Sequence, residues 1–196
     1  IPYTDAIERI IEDANHLPAE HVGTRSLGKK NFKERVPDVV FSYEPAPPDV
    51  GRIRQLVETT GFFSPEEVDV AGELVAERIA KGPESGYEFV MADHYGRLIG
   101  YTCFGPIPCT SFSYDLYWIA VHPDFQELGL GGWLITEAEN RIKESGGTQI
   151  YLDTSQRVQY ASTRHFYESC GYHLETVLKN FYSAGDGKAI YSKSLV

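Results

Sequence analysis

Apolar positions along residues 38–196 change period several times, and each change predicts an element. The run 39–43 is apolar and is closed by Pro45, Pro47 and Pro48, so it reads as a short strand. Val50, Ile53, Leu56 and Val57 then recur at helical spacing behind Asp49, a residue suited to an N-cap, and the pattern stops near Gly61. Ser64-Pro65-Glu66-Glu67 signals a second helix: a cap, a proline in the first turn, and acids beside the positive helix end. Its stripe of Val68, Ala71, Leu74, Val75 and Ile79 runs to Gly82-Pro83. Phe62 and Phe63 lie between the two helices, where closing the core is the simplest role. Runs at 87–92 and 98–104 predict strands joined by a hairpin at 93–97. A longer connection, 105–113, leads into an aromatic and β-branched strand at 115–121.

His122-Pro123-Asp124 ends that strand, because proline cannot donate to a ladder. A loop with Gln126, Gly129, Gly131 and Gly132 follows, then a helix face of Leu130, Leu134, Ala138 and Ile142. Glu137–Arg141 and Glu139–Lys143 fall four apart and are expected as surface pairs, and Ser145-Gly146-Gly147 stops the helix. A strand at 148–154 comes next. Ser162 or Thr163 is the expected cap of a short helix, 163–170, that closes at Gly171. Two strands finish the chain, 172–182 and 188–195, hinged at Gly185-Asp186-Gly187. The order β-α-α-β-β-β-α-β-α-β-β predicts a mixed α/β (α+β) fold, not an alternating doubly wound one. Residues 1–36 differ: 2–17 has a helical face of Ile7, Ile10, Ile11 and Ala14, and 21–36 is polar and basic, as in a linker. The chain is therefore read as an N-terminal helix and linker, 1–36, and one domain, 37–196.

Composition narrows the function. With 42% apolar residues, 13 Tyr and 10 Phe, the chain has material for a sizeable core. A net charge of −10 argues against a nucleic-acid-binding surface and favours a cationic partner such as an amine, although acidity also serves solubility. Cys103, Cys109 and Cys170 form no C-x-x-C pair, which points to a reducing, cytoplasmic setting with the thiols as small buried hydrophobes. No apolar run approaches the roughly 18 residues of a membrane span, and no secretory leader is visible, so no membrane association is expected. The six histidines show no H-x-x-x-H spacing, and no metal site is expected.

The chemistry concentrates at 115–135. Strand, glycine-rich turn and helix aim backbone N–H groups and a positive helix end at one point, where a phosphate can sit. A P-loop needs Gly-Lys-Ser/Thr, but Trp133-Leu134 follow Gly132; a dinucleotide fingerprint needs a third glycine where Leu134 stands. A plain left-handed turn before a helix is the bland alternative. The pattern that fits is Q-x-x-G-x-G/A, spelt Gln126-Glu127-Leu128-Gly129-Leu130-Gly131 after a strand ending V-x-P. It resembles the acetyl-CoA pyrophosphate loop of the GNAT acetyltransferases. Tyr160 to Tyr172 resembles that family's N-x-x-A-x-x-F/L-Y-E-x-x-G-F/Y segment, with Phe166, Tyr167, Glu168, Gly171 and Tyr172 in register. It departs at Tyr160, where Asn is usual, and at Thr163, where Ala is usual. The ending L-K-N-F-Y-S-A-G-D-G-K-A-I-Y-S-K-S-L is similar to the closing hairpin of ribosomal-protein alanine acetyltransferases and related amine acetyltransferases. The resemblance spans residues 38–196.

The resemblance implies a mostly antiparallel sheet flanked by helices, with the strands at 115–121 and 148–154 splayed apart. It implies transfer of the acetyl group of acetyl-CoA, a cosubstrate, directly to a primary amine of a small molecule or peptide, without a metal. Such an amine must shed a proton, with a free pKa of about 10.4 if lysine-like or about 8 if an α-amino group. The oxyanion needs a donor and the departing thiolate an acid. The resemblance assigns the acid to Tyr167. Adjacent helical residues point apart, so Phe166 and Tyr167 are not expected to fill one core together. For the base it offers Asp115, on one face with Tyr117, Ile119 and Val121 unless a bulge intervenes, with Asp153 as the runner-up and a water chain as a third route. Ile119, Ala120 and Val121 would pair with the pantetheine arm, and the N–H groups of Gln126, Glu127, Leu128, Gly129, Leu130, Gly131 and Gly132 would receive the pyrophosphate. A side chain at Gly129 or Gly131 would hold the phosphates away. Trp133 is read as helix packing and Arg164 as a solvated arginine. In this architecture the loop at Phe62 and Phe63 borders the acceptor.

Two other functions stay open: a CoA-binding regulatory module that transfers nothing, and a protein N-terminal acetyltransferase. Closing strands that meet across a homodimer are a further expectation of the fold. The opening I-P-Y-T-D-A-I-E-R-I-I-E-D-A faintly resembles the closing helix of D-alanine–D-alanine-type ATP-grasp ligases, which would make it the tail of an upstream ligase module. An ordinary helix packed on the domain is the alternative.

Overall fold

A computed structural model describes residues 32–196, which belong to a compact unit running from Asn31 to Val196. The expected helix at 2–17 and its ligase resemblance lie outside the described residues. The elements are α1 (Phe32–Arg35), β1 (Val39–Ser42), α2 (Pro47–Thr59), α3 (Pro65–Lys81), β2 (Glu88–His94), β3 (Arg97–Pro106), β4 (Ser113–Val121), α4 (Leu130–Glu144), β5 (Gln149–Ser155), α5 (Ala161–Ser169), β6 (His173–Ser183) and β7 (Asp186–Ser194). The seven strands form one sheet in the order β1-β2-β3-β4-β5-β7-β6. Every neighbouring pair is antiparallel except β4 with β5, so the fold is the expected mixed α/β arrangement.

Each side of the sheet carries its own core. On one side, Leu130, Leu134, Ile135, Ala138 and Ile142 of α4 pack with Ile99, Phe104, Leu116, Ile150, Leu152 and Tyr191. On the other, Ile53, Leu56 and Val57 of α2 and Ala71 and Val75 of α3 pack with Phe89, Met91, Tyr101 and Ala120. Strand β3 is buried on both faces for its whole interior. There α4 presses close at Gly100: a Cβ would come within 2.9 Å of Leu130 and 3.1 Å of Leu134. The second core draws only on α2, α3 and strands up to β4, so β5, β6 and β7 are held by the first core alone.

Several local expectations are corrected. Asp49 is not the cap of α2. The helix starts two residues earlier at Pro47, and Asp49 sits in its first turn, accepting from the Ala46 N–H at 2.8 Å. Proline suits a first turn because that N–H has no helical partner. Likewise α5 begins at Ala161, with no side-chain cap from Ser162 or Thr163. The expected surface pairs on α4 do not form. Glu139 is buried and binds Lys193 of β7 at 2.7 Å, while Glu137 accepts from the Tyr43 hydroxyl at 2.8 Å. Asp186, read as part of a hinge, is a buried carboxylate that accepts from Ser155 Oγ at 2.6 Å and pairs with Arg157 at 3.0 Å. Phe32 and Val36, within the expected linker, are buried in the first core, so residues 32–36 belong to the folded unit.

Candidate active site

The site begins with a sheet that fails to stay closed. Strands β4 and β5 pair at only three positions, Ser113–Gln149, Tyr114–Ile150 and Asp115–Tyr151, and then part. The cause is next door: Cys103 pairs with Trp118 but Phe104 pairs with Leu116, so Tyr117 is an extra residue on β4. Such a bulge bends its strand and adds twist. The opening is a cleft of about 700 Å³, walled by residues 116–121 on one side and 153–155 on the other. Phe166 and Tyr167 of α5 line it, the loop before α4 closes one end, and Phe62, Phe63, Glu67, Tyr160 and Tyr182 surround the other.

The bulge also settles which side chains share a face. Tyr114, Leu116, Ile119 and Val121 turn to the first core, and Tyr117, Trp118 and Ala120 to the second. Asp115 therefore shares a face with Tyr117 but not with Ile119 or Val121, which corrects the unbroken period-2 reading.

The loop is folded by its own residues. His122 Nδ1 accepts from the Asp124 N–H at 3.1 Å, and Gln126 Nε2 donates back to the Val121 carbonyl at 3.2 Å. Glu127 (φ 61°) and Gly129 (φ 95°) are left-handed, and Gly129 is the N-cap of α4. Gln126, Glu127, Gly129, Gly131 and Gly132 line the cleft, with the free N–H groups and positive end of α4 at that point. Leu128 and Leu130 do not line it: Leu130 is buried in the first core and Leu128 packs against that core. At Gly131 a Cβ would stand 3.1 Å from the Phe166 ring, whereas Gly132 faces open space.

Tyr167 lies at the fork, buried, with the rings of Tyr172 and Tyr191 at 6.1 and 6.2 Å. Burial raises its pKa well above that of a free phenol, and the charge of Asp153 raises it further, so it is protonated at neutral pH. Phe166 and Tyr167 do touch one core together, contrary to the expectation from helical geometry: Tyr167 is buried within it and the half-buried Phe166 packs against it. Asp153 lines the cleft; Tyr182 Oη donates to its Oδ1 and Lys188 Nζ binds its Oδ2, each at 2.7 Å. Asp115 sits lower, where the strands still pair, and does not line the cleft. Burial raises its pKa, Asp153 adds to the rise, and Lys188 offsets part of it. Above it Tyr117 does line the cleft, its pKa pushed up to about 12 chiefly by burial and next by Asp115.

Sequence reasoning missed several lining residues. Tyr160 donates to the Phe62 carbonyl at 3.0 Å and so ties the two walls of the far end together; its only sequence signal was standing where Asn is usual. Tyr182 and Glu67 carried none. Phe63 packs on the second core and against Trp118 at 5.3 Å, while Phe62 is 38% exposed at the cleft. Trp133 packs as expected, stacked on Phe41 at 3.6 Å. Arg164 is half-buried and engaged, not a free solvated arginine: it donates to the Ser155 and Arg157 carbonyls at 2.8 and 3.1 Å. Among the described residues, no group of three or more His, Cys, Asp or Glu is placed to hold a metal ion, and no helix is long and apolar enough to cross a membrane.

The sequence model of the Acetyltransferase (GNAT) family matches residues 53–172, more than half of the chain. The chain belongs to this family. The crystal structure of another GNAT-family protein, from Desulfovibrio desulfuricans, superposes with a TM-score of 0.79 at 46% identity, covering 81% of this chain and 99% of that one. The [ribosomal protein bS18]-alanine N-acetyltransferase of Escherichia coli K12 is 33% identical over 73 residues, 37% of this chain and 48% of the relative. The chain thus spans about half the length of the curated relatives it matches. A more distant GNAT fold is the PaiA N-acetyltransferase of Thermoplasma acidophilum in complex with coenzyme A: 18% identity, TM-score 0.62, 80% of this chain and 98% of that one.

Proposed function

We propose that this chain moves the acetyl group of acetyl-CoA directly to a primary amine of a small molecule or peptide. The observation that carries the reading is the forked cleft, with a glycine-rich loop and the positive end of α4 at one end and a protonated, buried Tyr167 at the fork. The loop fits a pyrophosphate: Gly129 makes the turn, and open space beside Gly132 lets a ligand approach the backbone. Along the splayed part of β4, the edge facing β5 has no strand partner, so Ile119, Ala120 and Val121 can pair with an extended pantetheine arm.

When bound, acetyl-CoA supplies the activated thioester. The protein's part is positioning, charge and proton handling. Tyr167 holds a proton for the departing sulfur. Asp153 is the carboxylate at the cleft surface and is our choice for the base; with about four lone-pair sites, it can serve Tyr182, Lys188 and an amine at once. Asp115, below it, acts on the site through its charge. The far end, with the rings of Phe62, Trp118, Tyr160 and Tyr182 and the carboxylate of Glu67, suits an ammonium group before it is deprotonated.

Calorimetric titration with acetyl-CoA, followed by thiol-release assays on a panel of amines, tests the reading. Binding with turnover of one amine class is the expected outcome. Absence of binding would sink it, and binding without turnover of any amine would favour a CoA-binding module that transfers nothing. Asp153→Asn should lower kcat by roughly a hundredfold, and Asp115→Asn by much less; the reverse order would move the base to Asp115.

A further inference from the structure

The loop that meets the phosphates is short of positive charge. Residues 122–133 contain no Lys or Arg, and their acids, Asp124 and Glu127, are of the wrong sign for a phosphate. Glu127 even lines the cleft. The whole chain carries −10, so a polyanion needs local counter-charge to be held here. Nearby arginines are otherwise engaged. Arg157 is paired with Asp186, Arg164 is held by two backbone carbonyls, and Arg97 lies beside Asp124 and His122.

The short helix α1 brings what the loop lacks. Phe32 is buried in the first core, and its Cβ lies 3.8 Å from where a Cβ on Gly129 would stand, so α1 is anchored against the loop. From there Arg35 Nη1 donates to the Glu127 carbonyl at 3.4 Å. That contact uses one of five guanidinium donors, and Arg35 makes no ion pair among the described residues. Lys33 sits with its ammonium 5.2 Å from the ring of Phe41 and 5.5 Å from that of Trp133, in the first turn of α4. Two cations thus stand beside the loop and the first turn of α4, just outside the residues that line the cleft, and both precede the stretch 53–172 that defines the family match.

We propose that Arg35, assisted by Lys33, binds the phosphates of CoA, so that this segment ahead of the family pattern completes the site. The proposal rests on reading 126–132 as the CoA loop. A guanidinium is the right group: its planar fork matches phosphate oxygens two at a time, and it stays charged at every physiological pH. Its hold on the Glu127 carbonyl also adds a tie from outside to a loop that is otherwise held by its own His122 and Gln126 side chains.

The test is calorimetric titration of the whole chain with acetyl-CoA and with acetyl-dephospho-CoA, which lacks the 3′-phosphate. Arg35→Gln should weaken acetyl-CoA binding about tenfold and Lys33→Gln about threefold. Arg35→Lys should recover part of the loss. Lys81→Gln, the same change in net charge at an exposed residue of α3 paired with Glu77, should change it by less than about twofold. A loss with Arg35→Gln that persists with the dephospho compound assigns Arg35 to the pyrophosphate; a loss that vanishes assigns it to the 3′-phosphate. Equal affinities for Arg35→Gln and Lys81→Gln overturn the proposal while leaving the loop reading intact. No binding by the unmodified chain overturns both. Arg35 is exposed, and an unchanged melting temperature without ligand confirms that each variant is folded.

Discussion

Tyr167 has its phenol held protonated by burial, so Tyr167→Phe removes the hydroxyl that carries the proton and little else. The expected result is a fall in kcat of roughly a hundredfold or more, read by thiol release, with acetyl-CoA affinity nearly unchanged. An unaltered kcat would remove the residue from the chemistry. Asp115 makes a different kind of prediction. Its folded pKa is raised, so between the ordinary carboxylate range and that raised value the native state binds more protons than the unfolded chain, and stability falls as pH rises. Asp115→Asn should therefore raise the denaturation midpoint at neutral pH, with the gain disappearing as pH drops below about 3.9. A lower midpoint at neutral pH would show that Lys188, not burial and Asp153, governs this carboxylate. Tyr167 was legible because it stands inside a dense motif. Tyr160 and Tyr182 were not, since their roles depend on distant partners, the Phe62 carbonyl and Asp153, that no local pattern records.

At the scale of elements, the type and order of the segments were legible from period and punctuation, and the boundaries were not. Asp49 reads as a cap because it precedes an apolar stripe, yet two prolines before it extend α2 backwards. Glu139 and Lys143 read as a surface pair because they are four apart, but β7 supplies Lys193 and takes the glutamate inward. The bulge at Tyr117 had no signal of its own in the strand, and it decides both the face of Asp115 and the fork of the sheet. The glycine loop was the most legible element, because left-handed backbone has few sequence solutions. Gly129→Ala tests it. With φ at 95° and no neighbour closer than 3.8 Å to a new Cβ, the cost is backbone strain, about 1–3 kcal/mol by denaturant unfolding, together with weaker acetyl-CoA binding. A stability change near zero would mean that the loop relaxes to another turn.

For the molecule as a whole, ten of the 13 tyrosines have pKa values raised by burial or by neighbouring carboxylates. The unfolded chain ionises them near pH 10 while the native state keeps them neutral, so stability falls as pH climbs from that point. The part of the tyrosinate absorbance that comes from the buried Tyr101, Tyr160, Tyr167, Tyr172 and Tyr191 should accordingly rise in a steep step that coincides with loss of helical circular dichroism. A gradual rise with the fold intact would contradict the burial described above.

The three-pair joint between β4 and β5 divides the sheet into unequal partners. One block, β1 to β4, has its β2–β4 strands clamped between helices on both faces; the other, β5 to β7, leans on a single core and ends in the exposed edge strand β6. Cooperative opening should follow that line. Native-state amide exchange without ligand is expected to release β6 and β7 as one low-energy unit while β2 and β3 exchange only through global unfolding. A ligand lodged in the fork touches both blocks and would act as a rivet, slowing exchange in strands it never contacts.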